Sequence, residues 1–237
     1  MQDQITVVIP CYNEEKYIGR TIRHIYRQLD SDGIRIIVAD AGSTDGTIEK
    51  INVLRNNLDI TIDVIQGGLP SVGRNEGAKL ATTPYILFVD ADVTFTSKDV
   101  IKKSLNEMLT GNYDMVGTTP KYKGERDRRA EMMFFVNRLS TWVLSRTMPF
   151  AIGGFVLISK SKFDELGGYD VNAKQSEDWL LSRQIDKKRF KLIFNLMTQD
   201  NRRFKKYGYL NMLKLAFRNW LNRNNSNYFY NAQNYWD

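Results

Sequence analysis

The sequence predicts an α/β protein in which a mostly parallel central sheet carries helices on both faces. Short runs rich in β-forming residues alternate with segments whose apolar residues recur at helical spacing. The runs at 34–39 and 85–89 are apolar almost throughout, which is typical of strands that are covered on both faces. A length of 237 residues is enough for one such domain with a full core.

The first half of the chain contains five predicted strands and four predicted helices. The strands are at 5–9, where Pro10 ends the apolar run, and at 34–39, 60–65, 85–89 and 114–118. The helices are at 13–29, from a Ser43 or Thr44 cap to 55, at 74–80 after a glycine-rich loop, and from a Ser97 cap to 109. Strands and helices in this alternation favour a parallel sheet.

The second half has a different pattern. A long helix rich in Met, Phe and Trp is predicted at 126–146, strands at 155–159 and 191–197, and a helix from a Ser176 cap to 187. A basic, aromatic-rich amphipathic helix is predicted at 204–222. No repeat and no long linker divides the chain. We therefore expect one domain over 1–203, followed by a basic helical extension over 204–237.

The net charge of +7 is distributed unevenly. Residues 1–120 hold 12 basic and 16 acidic side chains, whereas residues 121–237 hold 22 and 11. A basic second half suits diphosphates or lipid headgroups, but the charge alone favours a solvated basic surface. Nucleic acid is not expected as a partner, because the sequence lacks zinc-ligand spacing, a basic zipper and an RNP motif.

The rarest residues limit the possible chemistry and location. The single cysteine, Cys11, excludes an internal disulfide, and with one histidine, His24, a structural zinc site is also excluded. No secretory signal pattern opens the chain, and no apolar run approaches the roughly 20 residues that span a bilayer. We expect a cytoplasmic protein that is soluble or peripheral at the cytoplasmic face of the membrane.

Three polar segments follow three of the predicted strands directly. They are Pro10–Glu15, Asp40–Thr47 and Asp90-Ala91-Asp92. Each alone is typical of a turn and a helix cap. Together they meet at the carboxyl edge of the sheet, where open α/β sheets bind ligands.

Asp90 and Asp92 are the most informative of these residues. Two carboxylates at the end of a buried strand repel each other unless a cation or hydrogen-bond donors compensate. Mg²⁺ or Mn²⁺ would compensate and would leave coordination positions for phosphate oxygens. Asp40, at the same edge, either accepts hydrogen bonds from a base or ribose or only caps the next helix.

The ordered motifs resemble glycosyltransferase family 2, which has the GT-A fold of nucleotide-diphospho-sugar transferases. The segments are VVIPCYNEE, VADAGSTDGT, GRNEGAKLATTPYILFVDAD and SEDWLLSRQI, within residues 5–205. The resemblance implies that residues 1–120 bind the nucleotide-sugar and that 121–203 form the acceptor half. It implies a nucleoside pocket lined by Pro10, Tyr12, Glu14 and Asp40, donor contacts from Arg74 and Asn75, and a DxD element at Asp90, Ala91 and Asp92, with Asp92 as the metal ligand.

The resemblance also implies an inverting reaction with Asp178 as the base. A single displacement needs a base on the acceptor side, opposite the metal-bound diphosphate. The dipole of the helix that follows Ser176 is expected to keep this carboxylate ionised. Glu177 is expected to position Asp178 or the acceptor. In the alternative interpretation, both acids only complement the helix dipole.

Two departures from the family pattern limit the prediction. The family often has two successive acids where this chain has Asp40-Ala41. The Gln-Arg-x-x-Arg-Trp element of processive synthases is absent, which argues against processive polymerisation. Arg202 and Arg203 stand near that place, and they either reach the donor diphosphate or are surface charges.

The expected partners are a nucleotide-diphospho-sugar, with uridine as the first expectation, and a glycan, lipid-linked or polyprenyl-phosphate acceptor. The helices at 126–146 and 204–222 line a core or acceptor groove or form an interfacial surface for peripheral membrane contact. One alternative is a nucleotidyltransferase that makes nucleotide sugars, although PCYNEE replaces its GxGxR loop. The other is an inactive nucleotide-binding module. Neither a G-x-G-x-x-G after the first strand nor a P-loop motif is present.

Overall fold

The computed structural model describes residues 4–28 and 34–231. Its centre is an eight-stranded sheet in the order β3-β2-β1-β4-β7-β6-β8-β5. Strands β3, β2, β1 and β4 are parallel, and β6 is parallel to β8. β7 runs antiparallel between β4 and β6, and β5 is antiparallel to β8. The predicted α/β class with a mostly parallel sheet is confirmed.

The strands have the following bounds: β1 Ile5–Cys11, β2 Arg35–Asp40, β3 Thr61–Gln66, β4 Tyr85–Val89, β5 Thr94–Phe95, β6 Met115–Tyr122, β7 Phe155–Ser159 and β8 Phe190–Gln199. The helices are α1 Ile18–Tyr26, α2 Thr47–Asn57, α3 Pro70–Lys79, α4 Val100–Thr110, α5 Arg128–Ser145, α6 Lys160–Glu165, α7 Glu177–Ser182, α8 Arg202–Tyr207, α9 Tyr209–Leu221 and α10 Ser226–Tyr230. The predictions for β4 and β7 agree with the structure at both ends.

The sheet is buried on both faces, as the apolar strands predicted. One cluster joins Ile9 and Leu87 to α1 and α4, and a second joins Val8 and Phe88 to the opposite face. On that face α3 lies very close to β1. A Cβ on Gly77 would stand 2.4 Å from a methyl of Val8, so only glycine allows this approach. The approach fixes the position of α3 above the sheet.

Several predicted boundaries were wrong. β1 continues through Pro10 to Cys11, because its pairing with β4 ends at Val8 and only the β2 side is paired beyond it. α1 begins at Ile18 rather than 13, and its predicted end at Leu29 lies outside the described residues. α3 begins earlier than predicted, with Pro70 in its first turn, where proline fits well.

The predicted serine and threonine caps were wrong for α2 and α4, which begin after Gly46 and Asp99. α7 does begin after Ser176, as predicted, but in none of the three helices does the N-cap side chain bond to a helix N–H. α7 has only six residues and ends at Ser182, well before the predicted end at 187. The predicted helix at 204–222 is two helices, because Gly208 adopts a φ of +82° that ends α8. The last six residues of the predicted extension lie outside the described part of the chain.

Candidate active site

The loops that follow β1 and β2 are bonded to each other. The Oδ1 of Asn13 accepts from the backbone N–H of Thr44 at 2.8 Å, and the N–H of Asn13 donates to Ser43 Oγ at 2.9 Å. Asn13 has a φ of +51°, a left-handed conformation that asparagine tolerates better than most residues. Asp40 accepts from the N–H groups of Gly42 and Ser43 at 3.0 and 2.9 Å. Hydrogen bonds therefore join the two loops into one rim at the carboxyl edge.

The four residues predicted for the nucleoside pocket lie at this rim. Tyr12 is exposed, and Pro10 and Glu14 are partly buried. Asp40 is buried, and both of its carboxylate oxygens are bonded to the turn that follows it. Asp40 therefore holds the turn and does not cap the next helix, because α2 begins only at Thr47. Any ligand contact of Asp40 must share oxygens that already hold the turn.

Arg74 joins two distant parts of the chain. Its side chain is buried, and its guanidinium bonds to Asp90 Oδ1 at 2.7 Å and to Glu177 Oε1 at 2.6 Å. It also lies over the ring of Tyr169, 5.2 Å from the ring centre. The end of β4 and the first turn of α7 therefore share one buried cation. The two predicted acidic pairs belong to a single site.

Asp92 is paired with a different arginine. Arg202 donates to Asp92 Oδ2 at 2.8 Å and to both carboxylate oxygens of Glu14 at 2.8 and 3.1 Å. Its guanidinium also stacks over Tyr17, 4.4 Å from the ring centre. Burial, helped by the neighbouring charge of Asp90, raises the pKa of Asp92 to about 6, and Arg202 opposes that rise. A cationic group therefore already compensates this carboxylate.

These acids fit a divalent cation that is shared with a ligand. Within residues 4–28 and 34–231, no three Asp, Glu, His or Cys side chains are grouped so that they could hold a metal ion alone. Mg²⁺ in nucleotide sites is usually bound by one or two carboxylates, with phosphate and water oxygens completing the shell. Asp90 and Asp92 provide two such carboxylates. The position of Arg202 shows that Asp92 accommodates a positive charge.

Asp178 is held by backbone groups rather than by a cation. Its Oδ2 accepts from the N–H of Gly153 at 2.6 Å, and its Oδ1 accepts from its own helix at Trp179 N, at 2.8 Å. Burial raises the pKa of Asp178, and the charge of Glu177 adds to the rise. The expectation that the helix dipole keeps this acid ionised was wrong in direction, because desolvation outweighs the effect of a short helix.

The segment before α7 also differs from the prediction. Ser176 has a φ of +56°, and its Oγ accepts from the side chain of Asn219 in α9 at 3.2 Å instead of capping the helix.

Two further residues predicted near the donor have other surroundings. The side-chain amide of Asn75 bonds to the backbone carbonyl and N–H of Tyr169, at 2.8 and 2.9 Å, and so attaches α3 to that segment. Arg203 is exposed on α8, and its positive charge, like that of Arg202, opposes the rise in the pKa of Asp92.

Three site residues were missed in the sequence. Thr21 Oγ1 donates to the carbonyls of Ala91 and Val93, at 2.7 and 2.9 Å, and so anchors the loop that carries Asp92. A threonine on the apolar face of a predicted helix was the available signal. Tyr169 and Gly153 had no comparable signal, because their partners are distant in sequence.

Two comparisons of sequence place the chain in a family. The model for glycosyl transferase family 2 matches residues 6–167. The 4,4'-diaponeurosporenoate glycosyltransferase of Staphylococcus aureus is 30% identical over 178 residues, which cover 70% of this chain and 46% of that protein. The chain thus spans about half the length of the curated relatives it matches.

Solved structures share the fold. TarS of S. aureus in complex with UDP-GlcNAc has a TM-score of 0.64 at 20% identity, covering 84% of this chain and 59% of TarS. Glucosyl-3-phosphoglycerate synthase from Mycobacterium tuberculosis, with Mn²⁺ and UDP-glucose, has a TM-score of 0.58 at 20% identity, covering 92% and 78%. Mannosyltransferase PcManGT from Pyrobaculum calidifontis, with GDP-Man and Mn²⁺, has a TM-score of 0.64 at 18% identity, covering 83% and 57%. From this fold and the match over residues 6–167, the chain belongs to glycosyl transferase family 2 and has the GT-A fold.

Proposed function

We propose that this protein is a metal-dependent, inverting glycosyltransferase. It moves a sugar from a nucleotide-diphospho-sugar to a hydroxyl or phosphate acceptor in glycan or glycolipid synthesis. The observation that carries the proposal is the position of Arg74, which bonds to Asp90 at 2.7 Å and to Glu177 at 2.6 Å. It brings the predicted donor-side acids and the predicted base, Asp178, into one site. A nucleotide-binding module would have no use for the second acidic pair.

The nucleoside end of the donor is assigned to the rim formed by the first two loops. Tyr12 offers an exposed ring, and Asp40 and Glu14 offer carboxylates at the same rim. We assign uridine first, because TarS and glucosyl-3-phosphoglycerate synthase were solved with uridine nucleotides. PcManGT was solved with GDP-Man, so guanosine is the alternative.

The diphosphate is assigned to the space beside Asp92 and Arg202. Asp92, with Asp90, would hold Mn²⁺ or Mg²⁺, which when bound neutralises the charge of the departing nucleoside diphosphate. Arg202 would leave Asp92 and turn its guanidinium to the phosphates, since guanidinium groups match phosphate oxygens well. Arg203, next to it on α8, would add a second positive charge.

Asp178 is assigned as the base. It would take the proton of an acceptor hydroxyl while that oxygen attacks the anomeric carbon opposite the diphosphate, which inverts the configuration. Burial raises the pKa of Asp178 toward neutral pH, and a general base is most effective when its pKa lies near the working pH. The N–H groups of Gly153 and Trp179 hold the carboxylate in one orientation. Glu177 keeps Arg74 in place and is a positioning residue.

We assign the catalytic domain to residues 1–203, with the donor half at 1–120 and the acceptor half at 121–203, and the basic extension to 204–237. α10 of the extension packs on the domain through Phe229, which is buried against Trp179. We place the protein in the cytoplasm.

A thermal-shift experiment tests the proposal. We expect UDP with Mn²⁺ to raise the Tm of the chain more than UDP or Mn²⁺ alone, because a ligand that binds only the folded state stabilises it. Asp92→Asn should abolish the Mn²⁺-dependent part, whereas Asp99→Asn, in the loop before α4, should retain it. A full shift in Asp92→Asn would contradict the metal role. Absence of stabilisation by any nucleoside diphosphate would contradict the function.

A further inference from the structure

Two helices expose apolar stripes. The stripe of α5 consists of Met132, Phe135, Val136, Leu139, Trp142 and Val143, each between 37% and 57% exposed. The stripe of α9 consists of Leu210, Leu213, Phe217, Trp220 and Leu221, between 38% and 72% exposed. At about 100° per residue, each stripe occupies roughly a third of its helix circumference. Surface helices usually turn such a face to the core, and here it faces outward.

The two helices lie on neighbouring parts of the surface. At one end, Asp127 caps α5 and also accepts from the hydroxyl of Tyr209, the first residue of α9, at 2.6 Å. At the other end, Met148, which follows α5, and Phe229, which follows α9, pack in one cluster with Trp179. α5 and α9 therefore start close together, and the chain that follows each of them packs into one cluster. We call their exposed apolar residues together the two-stripe surface.

The helices that carry the two-stripe surface have an excess of basic residues. Residues 203–223 contain six Lys and Arg and no acid, and residues 128–146 contain four Arg and one acid. Arg146 lies 3.6 Å from the ring centre of Trp142, and Arg223 lies 4.9 Å from that of Trp220. The cations thus lie directly against the aromatic side chains of the stripes.

We infer that the two-stripe surface binds an anionic phospholipid bilayer. The stripes would enter the boundary between headgroups and acyl chains, and the flanking arginines and lysines would meet lipid phosphates. A second copy of the same surface would bring like charges together. A nucleic acid would leave the apolar side chains in water. No helix among the described residues is long and apolar enough to cross a bilayer, so this binding is interfacial.

This surface borders the candidate site. Asn219 of α9 donates to Ser176, the residue before Glu177 on the acceptor side, and α8, the helix before α9, begins with Arg202 on the donor side. A lipid-linked acceptor would therefore meet Asp178 from the bilayer side. This last step rests on the proposed function, whereas the binding to lipid does not.

Vesicle flotation tests the inference without any turnover. The full chain is mixed with vesicles of phosphatidylcholine alone or with about a third phosphatidylglycerol, at low and high salt. We expect flotation with the anionic vesicles only, and weaker flotation at high salt because the lipid charge is screened.

Matched variants locate the surface. Leu213→Ser/Phe217→Ser and Val136→Ser/Trp142→Ser should each lower the partition coefficient about tenfold or more. Val53→Ser/Leu109→Ser, at similarly exposed sites on α2 and α4, should not change it. Lys214→Glu should weaken binding, whereas Lys102→Glu on α4 should not. Circular dichroism and the UDP thermal shift show whether each variant keeps its fold and donor site.

Three outcomes would overturn the inference. Equal flotation with neutral vesicles would exclude charge recognition, and equal loss in the α2/α4 control would exclude this surface. A dimer in analytical ultracentrifugation that the stripe variants dissociate, without flotation, would assign the surface to a second copy. If UDP did not raise the Tm of the wild-type chain but the chain still floated with anionic vesicles, only the proposed function would be contradicted.

Discussion

The end of β4 and the first turn of α7 each carry two acids, and Arg74 binds one acid of each pair. It bonds to Asp90 on the proposed donor side and to Glu177 on the proposed acceptor side. The remaining acids have different partners. Asp92 faces the partly exposed guanidinium of Arg202, whereas Asp178 faces the backbone N–H of Gly153. In the proposed mechanism, the first arrangement allows a metal ion to replace Arg202 at Asp92, and the second holds Asp178 ready to accept a proton.

The largest expected effect comes from removing the group that both pairs share. Arg74→Met leaves Asp90 and Glu177 without their cation, and breaking a buried ion pair costs about 3–5 kcal/mol. We expect the free energy of unfolding, measured by urea denaturation, to fall by about that amount. Transfer should be lost at the same time.

The matched control is Arg35→Met, which breaks the ion pair with Asp63 on the neighbouring strands β2 and β3. Both of those side chains are about a third exposed, so we expect a loss of about 1 kcal/mol or less. If the two variants lost equal stability, Arg74 would not be the link between the two acidic pairs.

The second prediction concerns the acceptor side alone. Asp178→Asn should reduce transfer by roughly a hundredfold or more, the usual contribution of a general base, and should leave UDP affinity near that of the wild type. Initial rates and isothermal titration measure the two quantities. Asp186→Asn, at an exposed turn, is the control. Wild-type transfer by Asp178→Asn would assign the base to another residue.

The third prediction concerns pH. Burial raises the pKa of Asp178, and below that pKa the carboxyl keeps its proton and cannot accept another. The kcat/KM should therefore fall as the pH decreases through the raised pKa and level off above it. In Asp178→Asn this limb of the profile should disappear. A limb that persists unchanged in the variant would report a different group.

The smallest effect is expected on the donor side. Arg202→Met removes the cation that occupies Asp92, so Mn²⁺ alone should bind several-fold more tightly, while UDP should bind several-fold more weakly. The affinity for Mn²⁺ is measured by titrating the metal ion into the protein and recording the electron paramagnetic resonance signal of free Mn²⁺. Arg189→Met, which breaks a pair with Asp114 away from the site, should alter neither. If Mn²⁺ and UDP affinity moved together, Arg202 would not exchange between the two.

The sequence predicted the parts of the fold that depend on local pattern. β4 and β7 were correct because continuous apolar runs define buried strands. β5, α6 and α10 were missed, because two to six residues carry little periodicity. The serine caps failed for a different reason. Ser43 and Ser97 bond to Asp40 and Asp99, and these contacts compete with capping.

The site was predictable as a set of residues but not as a set of contacts. The motifs identified Asp90, Asp92 and Asp178, since their residue types and order carry the family resemblance. Their partners could not be read in the same way. Arg74 and Glu177 are 103 positions apart, and Arg202 and Glu14 are 188 apart. No periodicity connects such positions, and only the folded sheet brings them together.

The reversed direction of β7 has a consequence for the chemistry of the sheet edge. Parallel strands finish at this edge, whereas β7 starts there, opposite Val89 of β4. The residues that lead into β7 therefore bring amide hydrogens to an edge otherwise lined with carboxylates. Gly153 is the one that reaches Asp178, and a Cβ there would stand 3.0 Å from the guanidinium of Arg74. Proline at this position would remove the amide, and a larger side chain would displace the arginine.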